Sequence, residues 1–350
     1  MGADDEQRAP TRPRKPAVMS DVGRLAGVSH QTVSRVINGS RHVSPETRER
    51  VLAAMHQLGY RPNSSARALA TGRTRAVGVI SFDTTLYGPA STLFGIERAA
   101  HEAGYSIMVT SLKALDRATV LQAIEQLRRQ GVDGILVIAS EEESAQALLH
   151  APIDVPLVAV EAGPEAGIPV VAVDQRQGAA LATRHLLDLG HRTVHHITGP
   201  LGSLESQARG AGWRAALDQA GAQRPEPLIG DWTARTGYHL GRRLSRDRSV
   251  TAVFVSSDQM ALGLLRAMHE GARRIPDEVS VVGFDDIPES PYFTPPLTTV
   301  RQDFGEVGSR SLRVLVRAID SVNDGTRPPE GSLVPPELVV RASTAPPPVA

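Results

Sequence analysis

The chain predicts an all-α helix-turn-helix head followed by an α/β body built as two parallel sheets covered by helices. Three observations predict this. Before residue 60, apolar residues recur at helical spacing in three short segments separated by cap and turn residues. From Ala76 onward, short apolar runs alternate with amphipathic stretches, and the number of runs fits two sheets better than one. The charge is also divided: residues 1–75 hold 13 Lys and Arg against 6 Asp and Glu, and because the 350-residue chain is neutral, the remainder is acidic by the same margin. A basic head on an acidic body is the pattern of a nucleic-acid module joined to something else.

In order along the chain, residues 1–16 read as a disordered basic tail and 17–62 as the helical head. Ser20–Ala26 is the first helix, and Gly27-Val28-Ser29 breaks it. Ser29 can cap a second helix running to about Asn38, where Asn38-Gly39-Ser40 supplies turn chemistry. Ser44-Pro45 opens a third helix to Leu58, and Gly59 closes it. Val22, Leu25, Val28, Val33 and Val36 suit the contact between the first two helices, with Gly23 easing their approach. Residues 63–75 read as a linker whose small residues form at best a marginal helix, ordered only by a partner.

In the body the strands are expected at Val77–Ile80, Ser106–Thr110, Gly134–Ala139, Leu157–Val160, Val170–Val173, Val194–Thr198, Ala252–Ser256 and Val279–Phe284. The helices are expected at Ala90–Ala103, Ala118–Gln130, Arg176–Leu189, Ser206–Ala220, Ala234–Leu244, Gln259–Glu270 and Phe304–Ile319. Residues 345–350 read as a disordered tail.

The second helix carries the chemistry of the head. It turns His30, Gln31, Ser34 and Arg35 outward, and glutamine and arginine pair bidentately with adenine and guanine edges. In the body, polar groups follow three strands: Phe82-Asp83, Ser257-Asp258 and Asp285-Asp286. Ligands of parallel sheets sit at such carboxyl ends. Asp258 reads equally as the cap of the helix it begins, and Glu141-Glu142-Glu143 either borders the site or forms a solvated face.

Several enzyme classes are excluded. Without cysteine there are no disulfides, thiolate metal sites or cysteine nucleophiles. Gly210-Ala211-Gly212-Trp213-Arg214-Ala215 matches a dinucleotide fingerprint but falls inside a helix with no preceding strand. His185, His191, His195 and His196 lack metal-ligand spacing, and no nucleophile elbow or P-loop is present. The expectation is a non-enzyme with no cofactor, no metal and no membrane segment, working in the cytoplasm.

Ser29-His30-Gln31-Thr32-Val33-Ser34-Arg35-Val36-Ile37-Asn38, Ser44-Pro45-Glu46-Thr47-Arg48 and Tyr60-Arg61-Pro62-Asn63-Ser64-Ser65-Ala66-Arg67-Ala68-Leu69 together resemble the lactose-repressor/galactose-repressor family. Four later blocks continue the resemblance to about residue 344. They are Gly230-Asp231-Trp232, Ser257-Asp258-Gln259-Met260-Ala261-Leu262-Gly263, Gly283-Phe284-Asp285-Asp286 and Pro295-Pro296-Leu297-Thr298-Thr299-Val300-Arg301-Gln302-Asp303-Phe304. The resemblance implies that the body, 76–344, has the two-lobed type I periplasmic-binding-protein fold. Its first lobe would span about 76–173 and 303–331, its second about 174–302 and 332–344.

By resemblance, His30, Gln31 and Arg35 read the major groove while Ser29, Thr32, Ser34 and Asn38 hold phosphates. The linker becomes a hinge helix on DNA, with Leu69 wedged into the minor groove beside Ala66. Asp285 and Arg209 bind hydroxyls of a small carbohydrate effector, Trp232 stacks on it, and Gln302 closes the cleft. Phe82, Leu86 and Pro89 line the apolar side, and Ser257 lies at the pocket. Ser257 and Glu205 depart from the family pattern, which leaves the sugar open.

The implied function is a sequence-specific repressor acting as a homodimer on pseudo-palindromic operator DNA, relieved by a glycoside-like inducer. A co-repressor-dependent regulator and a sugar-binding protein without enzymatic activity are the alternatives. No apolar heptad tail is present, so a tetramer is not expected.

Overall fold

The computed structural model describes residues 17–37, 42–60, 72–82, 84–112, 116–148, 155–163, 167–326 and 330–348. They form two compact units, one up to Thr74 and the other from Arg75 onward. In the first unit α1 (Met19–Ala26), α2 (His30–Ile37) and α3 (Pro45–Leu58) lie where the sequence places three helices, and the expected turn at 38–40 falls outside the described residues. Gly27 and Gly59 end α1 and α3 in the left-handed region, with φ of 66° and 62°. Ser44 Oγ accepts the Thr47 amide at 3.3 Å ahead of Pro45. Val22, Ala26, Val33, Val36, Val51 and Ala54 are the buried core of the three helices. Leu25, expected in this contact, is 46% exposed, because it falls one position off the buried stripe formed by Val22 and Ala26.

The second unit contains two six-stranded sheets. β1 (Ala76–Phe82), α4 (Tyr87–Glu102), β2 (Ser106–Leu112), α5 (Arg117–Arg129), β3 (Gly134–Ile138), α6 (Glu142–Leu148), β4 (Leu157–Val160) and β5 (Val170–Val173) build the first lobe. The chain then crosses into α7 (Gln175–Asp188), β6 (His195–Thr198), α8 (Leu204–Gln219), β7 (Leu228–Ile229), α9 (Ala234–Leu244), β8 (Ala252–Val255), α10 (Asp258–Glu270), β9 (Ser280–Asp285) and β10 (Thr298–Arg301). It returns through α11 (Phe304–Asp324) and β11 (Ser332–Val334) and crosses again to β12 (Glu337–Val339).

The sheet orders are β2-β1-β3-β4-β5-β11 and β7-β6-β8-β9-β10-β12. All pairs are parallel except β10–β12, an antiparallel edge. Each order reverses direction at its first strand, β1 or β6, and such a reversal opens a crevice at the strand carboxyl ends.

Every predicted strand and helix of the body is present, to within a few residues at its ends. Four short strands and α6 were not anticipated. β7, β11 and β12 span two or three residues, too short for a period to register, and α6 begins inside the acidic run. Two boundaries differ from expectation. Ser332–Val334 pairs with Val171–Val173 in the first sheet, so the last crossing falls after Val334 rather than at 331. The segment expected to be disordered from 345 is held as far as Ala345: its N–H donates to Ser280 Oγ at 2.9 Å and its carbonyl accepts that hydroxyl at 2.8 Å. Gly212 finds a structural reason in place of a cofactor one. A Cβ there would collide with the Arg176 carbonyl, so glycine lets α8 lie against α7.

His196 is buried between the Trp213 and Phe254 rings, with centroids 5.2 and 4.7 Å away. Its Nδ1 lies 3.1 Å from the Phe254 carbonyl, and its Nε2 has no hydrogen-bond partner. Burial pushes its pKa down to about 4. The unfolded chain therefore holds the extra proton between about pH 6.5 and 4, so this contribution is complete above that window and lost as pH falls through it. We expect wild-type stability to drop relative to His196→Phe by on the order of 1 kcal/mol per pH unit across that window, measured by urea unfolding. Parallel pH profiles for the two proteins would remove His196 as the cause.

Candidate functional site

The head presents one polar face. Ser29 Oγ accepts the Thr32 amide at 3.1 Å and caps α2, while Val33 and Val36 pack inward. Ser29, His30, Gln31 and Arg35 are then exposed on the opposite side, with Thr32 and Ser34 half-buried beside them. Six of the nine residues assigned to DNA thus share one helix or its cap. Asn38, Ala66 and Leu69 lie outside the described residues, as does Asp83 of the body.

In the body, all eight residues assigned to the ligand line one cleft between the lobes. Phe82 ends β1, and Leu86 and Pro89 stand at the start of α4. From the second lobe come Arg209 on α8, Trp232 after β7, Ser257 after β8 and Asp285 at the end of β9, with Gln302 on the crossing after β10. The cleft opens to solvent between the lobes, and charged, aromatic and aliphatic side chains line it. Glu205, singled out as a departure at the pocket, lines it too, as does Glu141 of the acidic run. Tyr87, Gly88, Ser140, Ser203 and Gln259 complete the wall and were not foreseen. Ser140 follows β3, so the strand-end rule that found Asp285 reaches it equally well.

The lobes also touch across the cleft. Leu204 N donates to Ser140 O at 2.9 Å, and Glu142 N donates to Gly202 O at 3.1 Å.

Arg209 organises the site. Its side chain is 2% exposed, a costly place for a charge unless its donors are met. Nε donates to Gln175 Oε1 at 2.8 Å, Nη2 to Glu205 Oε2 at 3.3 Å, and Nη1 to the Ser256 carbonyl. Asp285 Oδ1 lies 3.7 Å from Nη1. The guanidinium carbon sits 3.9 Å from the Phe284 ring centroid and 5.5 Å from that of Trp232. Trp232 itself has φ 71°, and its ring occupies the space a Cβ at position 199 would need, so Gly199 makes room for it.

Burial raises the Asp285 pKa well above the usual carboxylate range, with Arg209 opposing the rise. Glu205 is shifted upward for the same reason and is opposed in the same way. Glu161, at the exit of β4, is pushed up to about 8 by burial and then by Glu205. A buried arginine among carboxyls, facing an aromatic ring, offers donors and acceptors to hydroxyl groups and an apolar face to a ring.

The other acidic residues have structural work. Ser257, not Asp258, caps α10: its Oγ accepts the Met260 amide at 3.2 Å. Asp258 is fully buried and accepts from Ile287 N at 3.0 Å, Ser290 Oγ at 2.6 Å and Thr299 Oγ1 at 2.6 Å. Asp286 pairs with Arg301 at 2.7 Å and Arg341 at 2.6 Å. These two carboxylates tie together the loop after β9 that presents Asp285.

A capped helix with a polar outer face and a two-lobed body with a cleft are the parts expected of a DNA-binding regulator. Residues 18–63 match the family described as bacterial regulatory proteins, lacI family, and residues 183–344 match the periplasmic binding protein-like domain. The chain is 34% identical to the lactose operon repressor of Escherichia coli strain K12 over 335 residues, 95% of this chain and 92% of that protein. It is 34% identical to the repressor PurR of Haemophilus influenzae strain Rd over 333 residues, 93% of this chain and 98% of the other. A lac repressor dimer bound to operator and the anti-inducer ONPF superposes with a TM-score of 0.81 at 33% identity, covering 95% of this chain and all of that one. The chain belongs to the lacI family and is a DNA-binding transcriptional repressor, not an enzyme.

Asp258→Ala would strand three buried donors. We expect it to lower stability by on the order of 3 kcal/mol in urea unfolding. A loss below about 1 kcal/mol would show that the three donors find other partners.

Proposed function

We propose that this repressor binds a pseudo-palindromic operator as a homodimer in the cytoplasm and is released from it by a small carbohydrate. The observation that carries the reading is the convergence of Arg209, Asp285, Trp232 and Gln302 on one cleft between two lobes. That set is suited to sugar hydroxyls and a sugar face. Relatives support the class of effector: a transcriptional regulator CelR, solved as its cellobiose complex, matches with a TM-score of 0.68 at 33% identity over 93% of this chain and 99% of that one.

In this reading His30, Gln31 and Arg35 contact base edges, and Ser29, Thr32, Ser34 and Asn38 contact phosphates. Residues 63–75 form the hinge, with Ala66 and Leu69 in the minor groove. Phe82, Leu86, Pro89 and Ser257 shape the pocket around the sugar. The effector lowers DNA affinity because it binds one arrangement of the lobes more tightly than the other; equal affinity would shift nothing.

Selection of the full-length chain on random palindromic duplexes, followed by titration with D-galactose, D-ribose, lactose and cellobiose, tests the whole reading. One sugar should weaken binding to the selected duplex. A sugar that tightens binding would make the effector a co-repressor, and the absence of any preferred duplex would overturn operator recognition.

Arg35→Ala is expected to cost about 1–3 kcal/mol of discrimination at one base step. An equal loss on every duplex would reassign Arg35 to phosphate. Asp285→Ala should retain duplex binding and lose the sugar response, and a normal response would place Asp285 outside the binding set.

A further inference from the structure

Gln175 does not line the cleft, yet it lies at the centre of the hydrogen bonds that hold the cleft's polar groups. It is the first residue of α7, just after the chain crosses from the first lobe to the second, and it is buried. Gln302 sits on the return crossing between β10 and α11 and is equally buried. Arg209 Nε donates to Gln175 Oε1 at 2.8 Å, Gln175 Nε2 donates to Gln302 Oε1 at 2.8 Å, and Gln302 Nε2 donates to Asp285 Oδ1 at 2.7 Å. Arg209 Nη1 lies 3.7 Å from that same Asp285 oxygen, which closes a ring.

The direction of the ring is set at one point. Arginine has no acceptor, so Gln175 must turn its oxygen toward Arg209 and its nitrogen toward Gln302. That in turn aims the Gln302 nitrogen at Asp285. Gln175 Nε2 also lies 3.5 Å from Glu161 Oε2, on the first-lobe loop after β4. One amide therefore touches a group of the first lobe, the second crossing and the arginine that faces the ligand.

We propose that Gln175 is the positioning residue that couples occupancy of the cleft to the relation between the lobes, and so to DNA release. The inference rests on the cleft being the effector site. A ligand hydroxyl that draws Arg209 or Asp285 toward itself must either lengthen a bond of the ring or carry a glutamine with it. Both glutamines are anchored where the backbone passes between lobes. A buried ring in which each amide polarises the next responds as a unit, and its members are coupled beyond their separate contributions.

Gln175→Leu nearly preserves volume and removes both amide functions. In the full-length chain, sugar binding is read by calorimetry and release of the selected duplex by fluorescence anisotropy, using D-galactose, D-ribose, lactose and cellobiose. We expect sugar affinity within about threefold of wild type, unchanged duplex affinity without sugar, and maximal release at saturating sugar reduced at least tenfold. A merely structural role would shift affinity and release together. Release equal to wild type at equal sugar occupancy would overturn the proposal while leaving the effector reading intact. If no sugar releases the wild-type chain, the effector reading fails and the coupling falls with it.

A second measurement needs no ligand. The unfolding equilibrium of Gln175→Leu, Gln302→Leu and the double variant forms a cycle. The ring requires the double variant to unfold with a constant within about threefold of the worse single variant. Independent, multiplicative effects would overturn it.

Discussion

The body depends on the burial of one positive charge. Arg209 lies beneath the cleft with its donors committed to Gln175, Glu205 and the Ser256 carbonyl, and with Phe284 beneath its plane. A guanidinium in that position needs acceptors and π-faces from the elements around it. The demand fixes the placement of α8, the exit of β8, the end of β9 and the start of α7 relative to one another. The polar set that lines the cleft follows from satisfying that charge.

Carboxyl groups around the arginine divide into two kinds. Asp258 and Asp286 are consumed by structure: the first accepts three hydrogen bonds, and the second joins Arg301 to Arg341. They hold the loop after β9 in a backbone conformation with φ of 106° at Asp285 and 50° at Asp286, one that side chains adopt only when their surroundings over-determine it. Asp285 is thereby left facing the cleft with Gln302. Neighbours in sequence, Asp285 and Asp286 have opposite duties because the left-handed turn sends them in different directions.

The head solves a different problem with fewer residues. Six buried side chains hold three short helices, none of which would persist alone in water. Because the core takes Val33, Val36 and Ile37 from α2, the other face of that helix is left to carry polar groups. Caps at Ser29 and Ser44 begin α2 and α3, and left-handed glycines at 27 and 59 end α1 and α3.

Residues alone determined the class of each part. Periodicity placed all three helices of the head and every long element of the body, and the strand-end rule together with the family resemblance assembled the eight cleft residues. Local pattern carries that much because burial on both faces of a parallel strand leaves an apolar run, and helices need caps. Only tertiary structure decided the rest. Ser332–Val334 joined the first sheet through pairing with a strand some 160 residues away, too short a segment to declare its lobe. Asp258 proved a buried acceptor rather than a cap because its three donors come from Ile287, Ser290 and Thr299, and no window of sequence brings those together. Gln175 gained its place in the ring in the same way, because hydrogen bonds between distant crossings exist only once both lobes have folded.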